Sequence, residues 1–259
     1  EIDMKKILLP ILTFIIIGAC SSSNNEEVSV AREGSPPNQV VEYVWHYKDS
    51  NFSDEGLDML IEKWNSMIDS RNYDMNGANI LFPRGESAAD FIWVMLWPSM
   101  EARDKAWDDW MNNLDEEWQN AINGIMKVDF DNVYAFKPIV KRTASVPNQS
   151  SYFENEFNFC NINEGYDEND LQKFEANFNN FLNESELKDG PDGYWYVMLE
   201  PYFEATEDNP LADYVWLSLW TNLEEKNRGY ANYNNTNLPA EGDSFSTCQR
   251  FSFTGRAIR

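Results

Sequence analysis

Phe91 to Trp110, FIWVMLWPSMEARDKAWDDW, recurs without a gap as Tyr214 to Tyr233, YVWLSLWTNLEEKNRGYANY, 123 positions later (214 minus 91). Trp93 falls on Trp216, Leu96 on Leu219, Trp97 on Trp220 and Glu101 on Glu224, while Trp107 and Trp110 fall on Tyr230 and Tyr233. Tryptophan is a scarce residue, so two coincident indoles at one spacing point to an internal duplication. Each copy reads as an apolar strand followed by a helix. The helix begins after Ser99 in the first copy and after Thr221 in the second, where Thr221 and Glu224 have capping-box spacing.

The flanks extend the repeat. VVEYVWHYK (40–48) and YFENEFNFC (152–160) alternate as strands and correspond to one another. Leu57, Leu60, Ile61, Trp64, Met67 and Ile68 recur at helical spacing, as do Leu171, Phe174, Phe178, Phe181 and Leu182. Second strands follow at 78–82 and 194–200, and fourth strands at 133–137 and 250–254. Each half therefore reads β-α-β-β-α-β, a ferredoxin-like α+β order. The expected division is a signal at 1–19, a tether at 20–37, a first repeat at 38–140, a linker at 141–151 and a second repeat at 152–259.

Two such halves in one chain resemble the dimeric α+β barrel superfamily, which includes antibiotic-biosynthesis monooxygenase-like, stress-responsive and NIPSNAP-like proteins. The resemblance spans about residues 38 to 258 and rests on element order, duplication and the Trp-rich strand-helix pattern. It implies two sheets pressed together within one monomeric chain as a pseudo-dimer, and a small oxygenase-like or isomerase-like activity without a cofactor.

Strand parity sorts the side chains into two faces. Val41, Tyr43, Trp45 and Tyr47, with Phe153, Phe157 and Phe159, form one face expected under the helices, together with Ile92, Val94, Leu96, Val215, Leu217 and Leu219. The opposite face carries Glu42, Val44, His46, Glu154, Glu156 and Asn158, and, on the third strands, Trp93, Met95, Trp97, Trp216, Ser218 and Trp220. The second set is expected to look into the barrel. Indoles with a few placed polar groups suit a flat or sugar-like molecule, and large aromatics filling a closed barrel are the plainer alternative.

The chain has 259 residues, with 20 Lys plus Arg against 44 Asp plus Glu, a net charge of −24. That balance excludes a nucleic-acid binder, which needs clustered cations. The N-terminus reads as an export signal: Lys5 and Lys6, an apolar run from Ile7 to Ile17 too short to span a bilayer, then Gly18-Ala19-Cys20. The run into Cys20 resembles a bacterial lipobox, which implies acylation of Cys20 and a lipid-bilayer anchor. Glu1, Ile2 and Asp3 precede Met4, the expected start of that signal. Ser21 to Pro37 reads as a flexible tether. Ser21, rather than Asp, beside the lipidated Cys points to the bacterial envelope, on a periplasmic or surface face and in the outer membrane where the cell has one. Loss of residues 1–19 removes two acids and two lysines, so the mature charge remains −24.

His46 is the only histidine, which removes His-rich zinc sites and paired-His acid-base chemistry. No nucleotide-binding, hydrolase or metal motif is present, and neither a metal nor a cofactor is expected. His46 with Glu42 is the candidate catalytic pair, with Glu156 as a second carboxylate, and Trp93 or Trp216 would position an aromatic substrate. Cys160 ends one strand and Cys248 begins its expected neighbour, so an oxidising envelope would permit a disulfide between them. Three functions remain open: binding of a small aromatic, apolar or sugar-like molecule, a cofactor-independent enzyme, and a structural or interaction module.

Overall fold

The computed structural model describes residues 39–206 and 210–259; the expected export signal and tether, with Cys20, lie outside the described residues. The first half runs β1 (Val40–Lys48), α1 (Asp54–Arg71), β2 (Gly77–Pro83), β3 (Phe91–Trp97), α2 (Met100–Asn113), α3 (Asp115–Ile122) and β4 (Met126–Arg142). The second runs β5 (Tyr152–Ile162), α4 (Glu168–Asp189), β6 (Trp195–Pro201), β7 (Tyr214–Trp220), α5 (Leu223–Asn234), α6 (Leu238–Phe245) and β8 (Ser246–Ala257).

Local chemistry explains the long helices. Ser53 Oγ accepts the Gly56 amide at the start of α1, and Asn72 ends that helix in the left-handed region at φ 51°. The apolar stripe read from the sequence, Leu57 to Ile68, is buried in full. Asp167 and Asp170 make a reciprocal capping box at the start of α4. Asn222, rather than Thr221, caps α5: its side chain accepts the Glu225 amide, and Thr221 instead donates its hydroxyl to Glu225. α3 and α6 are short helices absent from the expected six-element half, and β4 and β8 extend well beyond the fourth strands read from the sequence.

The strands form one closed barrel in the order β1-β3-β2-β8-β5-β7-β6-β4. All pairs are antiparallel, and the halves are joined by hydrogen-bonded strands rather than by face-to-face packing alone: Leu81 pairs with Gly255, and Pro138 with Leu199. Closure leaves no edge strand unpaired. This is an α+β barrel of the dimeric type, made within one chain.

The parity sets are correct as sets and reversed in direction. Tyr43, Ile92, Val94, Phe136, Phe157, Leu217 and Phe253, from both halves, share one cluster inside the barrel. Val44, Trp93, Met95 and Trp97 pack instead with Leu57, Trp64 and Trp110 beneath the helices of the first half. Trp216 and Trp220 do the same with Leu171, Phe174 and Phe245 in the second. The reason is volume. The layer between sheet and helices is filled by most of the indoles and by Met95, whereas the interior-facing side chains are mainly aliphatic, phenyl and phenol groups with Trp45. Glu42 and Glu156 follow the indoles outward and are met by side chains of α2 and α5, together with Trp97 and Ser252 of neighbouring strands.

Register also corrects the alignment of the first strands. Glu42 stands opposite Met95, and Glu156 stands opposite Ser218. Since 218 minus 95 is 123, the structural equivalent of Glu42 is Glu156, an offset of 114 (156 minus 42), and not Glu154.

Candidate functional site

Beneath α4, α5 and α6 the second half encloses a cavity of about 230 Å³. Asn158 of β5 and Trp216, Ser218 and Trp220 of β7 form its sheet side. Trp216 lies flat against Tyr196, ring centroids 4.3 Å apart and 6° from parallel, so its plane is fixed. Its Nε1 donates to Ser218 Oγ at 3.2 Å, and the Tyr194 hydroxyl meets the same oxygen at 3.0 Å. Phe174 and Phe178 close the helix side.

Ionisable groups surround this aromatic box. Glu225 is buried and accepts from the Gly193 and Thr221 amides, both at 2.6 Å, and from the Thr221 hydroxyl at 2.7 Å. Glu156 receives Lys226 at 2.9 Å, Ser252 at 2.6 Å and the Tyr230 hydroxyl. Burial alone would raise the Glu156 pKa; those hydrogen bonds outweigh it and hold the carboxyl below its ordinary range. Burial first, and then the Glu156 charge, push the Tyr230 phenol upward. Asp192, also on the lining, has its pKa raised, mainly by burial and further by the nearby Glu225 and Glu186 charges.

The corresponding space beneath the helices of the first half is smaller. Its void, walled by Trp64, Trp93, Met95, Trp97, Trp110 and Trp118, is only about 50 Å³. Met95 occupies the position that Ser218 holds in the second copy, and Trp118 adds an indole from α3. Glu42, fully buried, is bound by Arg103 Nε at 2.6 Å, Trp97 Nε1 at 3.0 Å and Trp107 Nε1 at 3.0 Å.

His46 is 4% exposed, stacked on Phe91 at 5.2 Å and near Trp93 at 5.6 Å. Its Nδ1 bonds the Val44 carbonyl at 2.9 Å, and no carboxylate lies within hydrogen-bond reach of the ring among the described residues. Burial lowers its pKa to about 4, against smaller opposing effects of Val44 and Asp129. The expected pairing of His46 with Glu42 is therefore not formed: the Glu42 carboxylate is committed to Arg103 and two indoles, and His46 is an uncharged packing residue. Glu154, expected in the barrel, instead makes a two-pronged ion pair with Arg84, at 2.5 and 2.6 Å, and lines neither cavity.

Cys160 and Cys248 face each other across β5 and β8 and are joined as a disulfide, with Cα atoms 4.0 Å apart. Both border the larger second-half cavity. A third cavity, of about 990 Å³, opens at one end of the barrel. Among the described residues no cluster of three His, Cys, Asp or Glu side chains is placed to hold a metal ion.

The fold is that of known barrels. A candidate monooxygenase from Fusobacterium nucleatum superposes with a TM-score of 0.51 at 8% identity, covering 86% of this chain and 94% of that one. A candidate chlorite dismutase superposes with a TM-score of 0.50 at 13% identity, covering 85% and 95%. A haem-binding protein from Thermus thermophilus gives 0.47 at 11% identity, covering 85% and 91%. No family profile and no curated protein matches the chain.

The residues around the second-half cavity do not fit a haem iron. The one His of the chain lies in the other half, packed between rings, both bordering cysteines are joined to each other, and the bordering phenols of Tyr194, Tyr214, Tyr230 and Tyr233 are held neutral by burial.

Asn158, Trp216, Ser218 and Trp220, which the sequence reading directs into the barrel, line this cavity beneath the helices instead, together with Tyr194, Asp192, Glu225 and Tyr230, which that reading does not single out as site residues. The signal for Glu225 was present in the repeat: it falls on Ala102 of the first copy (225 minus 123), as Ser218 falls on Met95 and Gly229 on Ala106. Positions where the copies diverge from large to small, or from apolar to charged, outline the cavity.

Proposed function

We propose that the chain binds a small aromatic, apolar or sugar-like molecule in the second-half cavity, between Trp216 and Trp220 of the sheet and Phe174 and Phe178 of α4. The observation that carries this reading is the asymmetry between two copies of one unit. The first is packed to about 50 Å³ by Met95 and Trp118, and the second keeps about 230 Å³ open among indoles, Ser218 and Asn158. Aromatic walls with a few fixed polar groups are the ordinary composition of a ligand site. The test is native mass spectrometry of protein purified from its own host. A co-purifying molecule retained by the wild type and lost from Trp220→Leu supports the proposal; bare polypeptide from repeated preparations counts against it.

The same reading places the protein in a bacterial envelope, anchored through acylated Cys20. The Lys5-Lys6, apolar-run and Gly18-Ala19-Cys20 order supports the anchor, and the Cys160–Cys248 disulfide suits an oxidising compartment. The mass of the N-terminal peptide from host-purified protein tests it, since acylation adds two or three fatty chains to Cys20.

Asp192 favours a second reading, a cofactor-independent monooxygenase-like or isomerase-like enzyme. A cavity carboxyl with a raised pKa is the sort of group that takes a proton from a bound carbon acid. This moves the candidate base from His46 to Asp192. Turnover of a retained ligand by the wild type and its loss in Asp192→Asn, with binding kept, would distinguish enzyme from carrier.

A further inference from the structure

We propose that the open end of the barrel is a second binding site, for a flat molecule that carries no negative charge and bears a hydrogen-bond-accepting oxygen that Tyr43 engages. The cavity reaches the first turns of α4 and shares Tyr214 with the second-half cavity, but its deep wall around Tyr43 lies inside the barrel, which separates this proposal from the reading above.

The cavity there measures about 990 Å³, the upper part of the range usual for ligand sites. Both halves build it: Trp45 and Tyr134 come from the first, and Phe157, Phe159, Phe251 and Phe253 from the second. Their rings meet edge to face or tilted, as in Trp45–Tyr134 at 5.9 Å and Phe159–Phe251 at 5.9 Å, so the wall is fixed by its own packing. Tyr43 lies deeper, held edge-on by Phe136 at 5.8 Å and Phe157 at 5.5 Å.

The Tyr43 side chain sets the ligand chemistry. The residue is 6% exposed and lines the cavity, yet its hydroxyl forms no hydrogen bond with any described residue. Tyr134, on the same wall, differs: its hydroxyl donates to Asn132 at 2.6 Å. The hydroxyl is not among the fully buried unpaired atoms, so it meets the cavity space, where an accepting oxygen would take the place of water. Burial raises the Tyr43 pKa, so the group remains a donor across the ordinary pH range. Anionic ligands are disfavoured at this wall, where Glu175 also keeps one buried oxygen without a partner among the described residues. Lys141 is paired with Glu175 at 3.1 Å, and the other lining charges, Asp167, Glu168, Glu200 and Asp213, are acidic and exposed at the outer margin.

Fluorenone and fluorene test the site, since they share a flat ring system and differ by the carbonyl. The expected result, by equilibrium dialysis against the disulfide-bonded protein, is saturable binding of fluorenone that Tyr43→Phe weakens about tenfold, the equivalent of one hydrogen bond. Fluorene binding should be unchanged in that variant. Phe251→Trp, which fills the mouth, should weaken both, and Ser218→Met, in the other cavity, should weaken neither. Absence of binding by both probes overturns the proposal. So does equal weakening of both by Tyr43→Phe, or loss of fluorenone binding in Ser218→Met.

Discussion

Glu42 and Glu156 are the same residue of the repeat, each buried on a first strand and clasped by the helix that follows the third strand. Arg103 and Trp107 hold Glu42; Lys226 and Tyr230, their equivalents at an offset of 123, hold Glu156. The pair of clasps shows that a buried carboxylate, a helix cation and a helix aromatic form a structural unit of the half-barrel. It pins α2 to the first sheet and α5 to the second.

Removal of the carboxylate from such a clasp leaves a buried partner stranded. Glu42→Ala is expected to destabilise the protein by about 1–3 kcal/mol, because the buried Trp97 N–H loses its acceptor, whereas the partly exposed Arg103 and Trp107 can turn to water. Glu42→Gln keeps an acceptor and should cost less. Urea denaturation at neutral pH measures both; a loss below about 1 kcal/mol for Glu42→Ala would show that the clasp contributes little.

The two copies also predict how the second-half cavity can be closed. Ser218→Met installs the residue of the first copy and should fill the space, abolishing ligand retention at a cost of about 1–3 kcal/mol from the lost contacts to Tyr194 and Trp216. The reverse change, Met95→Ser, should open the first half and destabilise it by about 2–5 kcal/mol, in the manner of large-to-small core substitutions. Retention of ligand by a folded Ser218→Met protein would place the ligand elsewhere.

The duplication, the order of strands and long helices, and the partition of each strand into two faces were legible because they depend on period and spacing alone. Which face looks inward was not. Alternation is symmetric about the sheet, and the sign depends on what fills each side: Tyr43, Val94 and Phe157 inside, Trp93 and Trp216 outside. His46 misled for a related reason. A lone His beside Glu42 in an alternating strand reads as chemistry, whereas burial between Phe91 and Trp93 makes it packing. α3 and α6 were hidden because two turns of helix carry too little periodicity to stand out. Trp118, which closes the first-half void, lies on one of them.

The buried His46 has a consequence for pH. Its folded pKa is about 4, below the ordinary value of 6.5, so the unfolded chain binds a proton there more readily than the folded one. Its contribution is fully present above about pH 6.5 and is lost as pH falls from 6.5 towards 4, a total of about 3 kcal/mol. The difference in stability between wild type and His46→Phe should therefore shrink or reverse over that interval. A difference constant from pH 7 to pH 4, measured by chemical denaturation, would rule out a buried neutral imidazole.

The Cys160–Cys248 bond joins strands 88 residues apart in sequence. Closing a loop of that length restricts the unfolded chain by up to about 4–5 kcal/mol, with 2–4 kcal/mol typical of measured bridges. Cys248→Ser is expected to lower stability within that range, and reduction of the wild type should reproduce it. Because both cysteines border the second-half cavity, the β5–β8 pairing beside Asn158 and Arg250 should loosen locally, so amide exchange at those positions should rise more than at β1 and β3. Uniform change across the barrel would mean that the bond acts only on the unfolded state. Peptide mapping without reductant on protein from an oxidising compartment should recover the 160 and 248 peptides linked, and protein made in a reducing cytoplasm should yield them free and melt earlier.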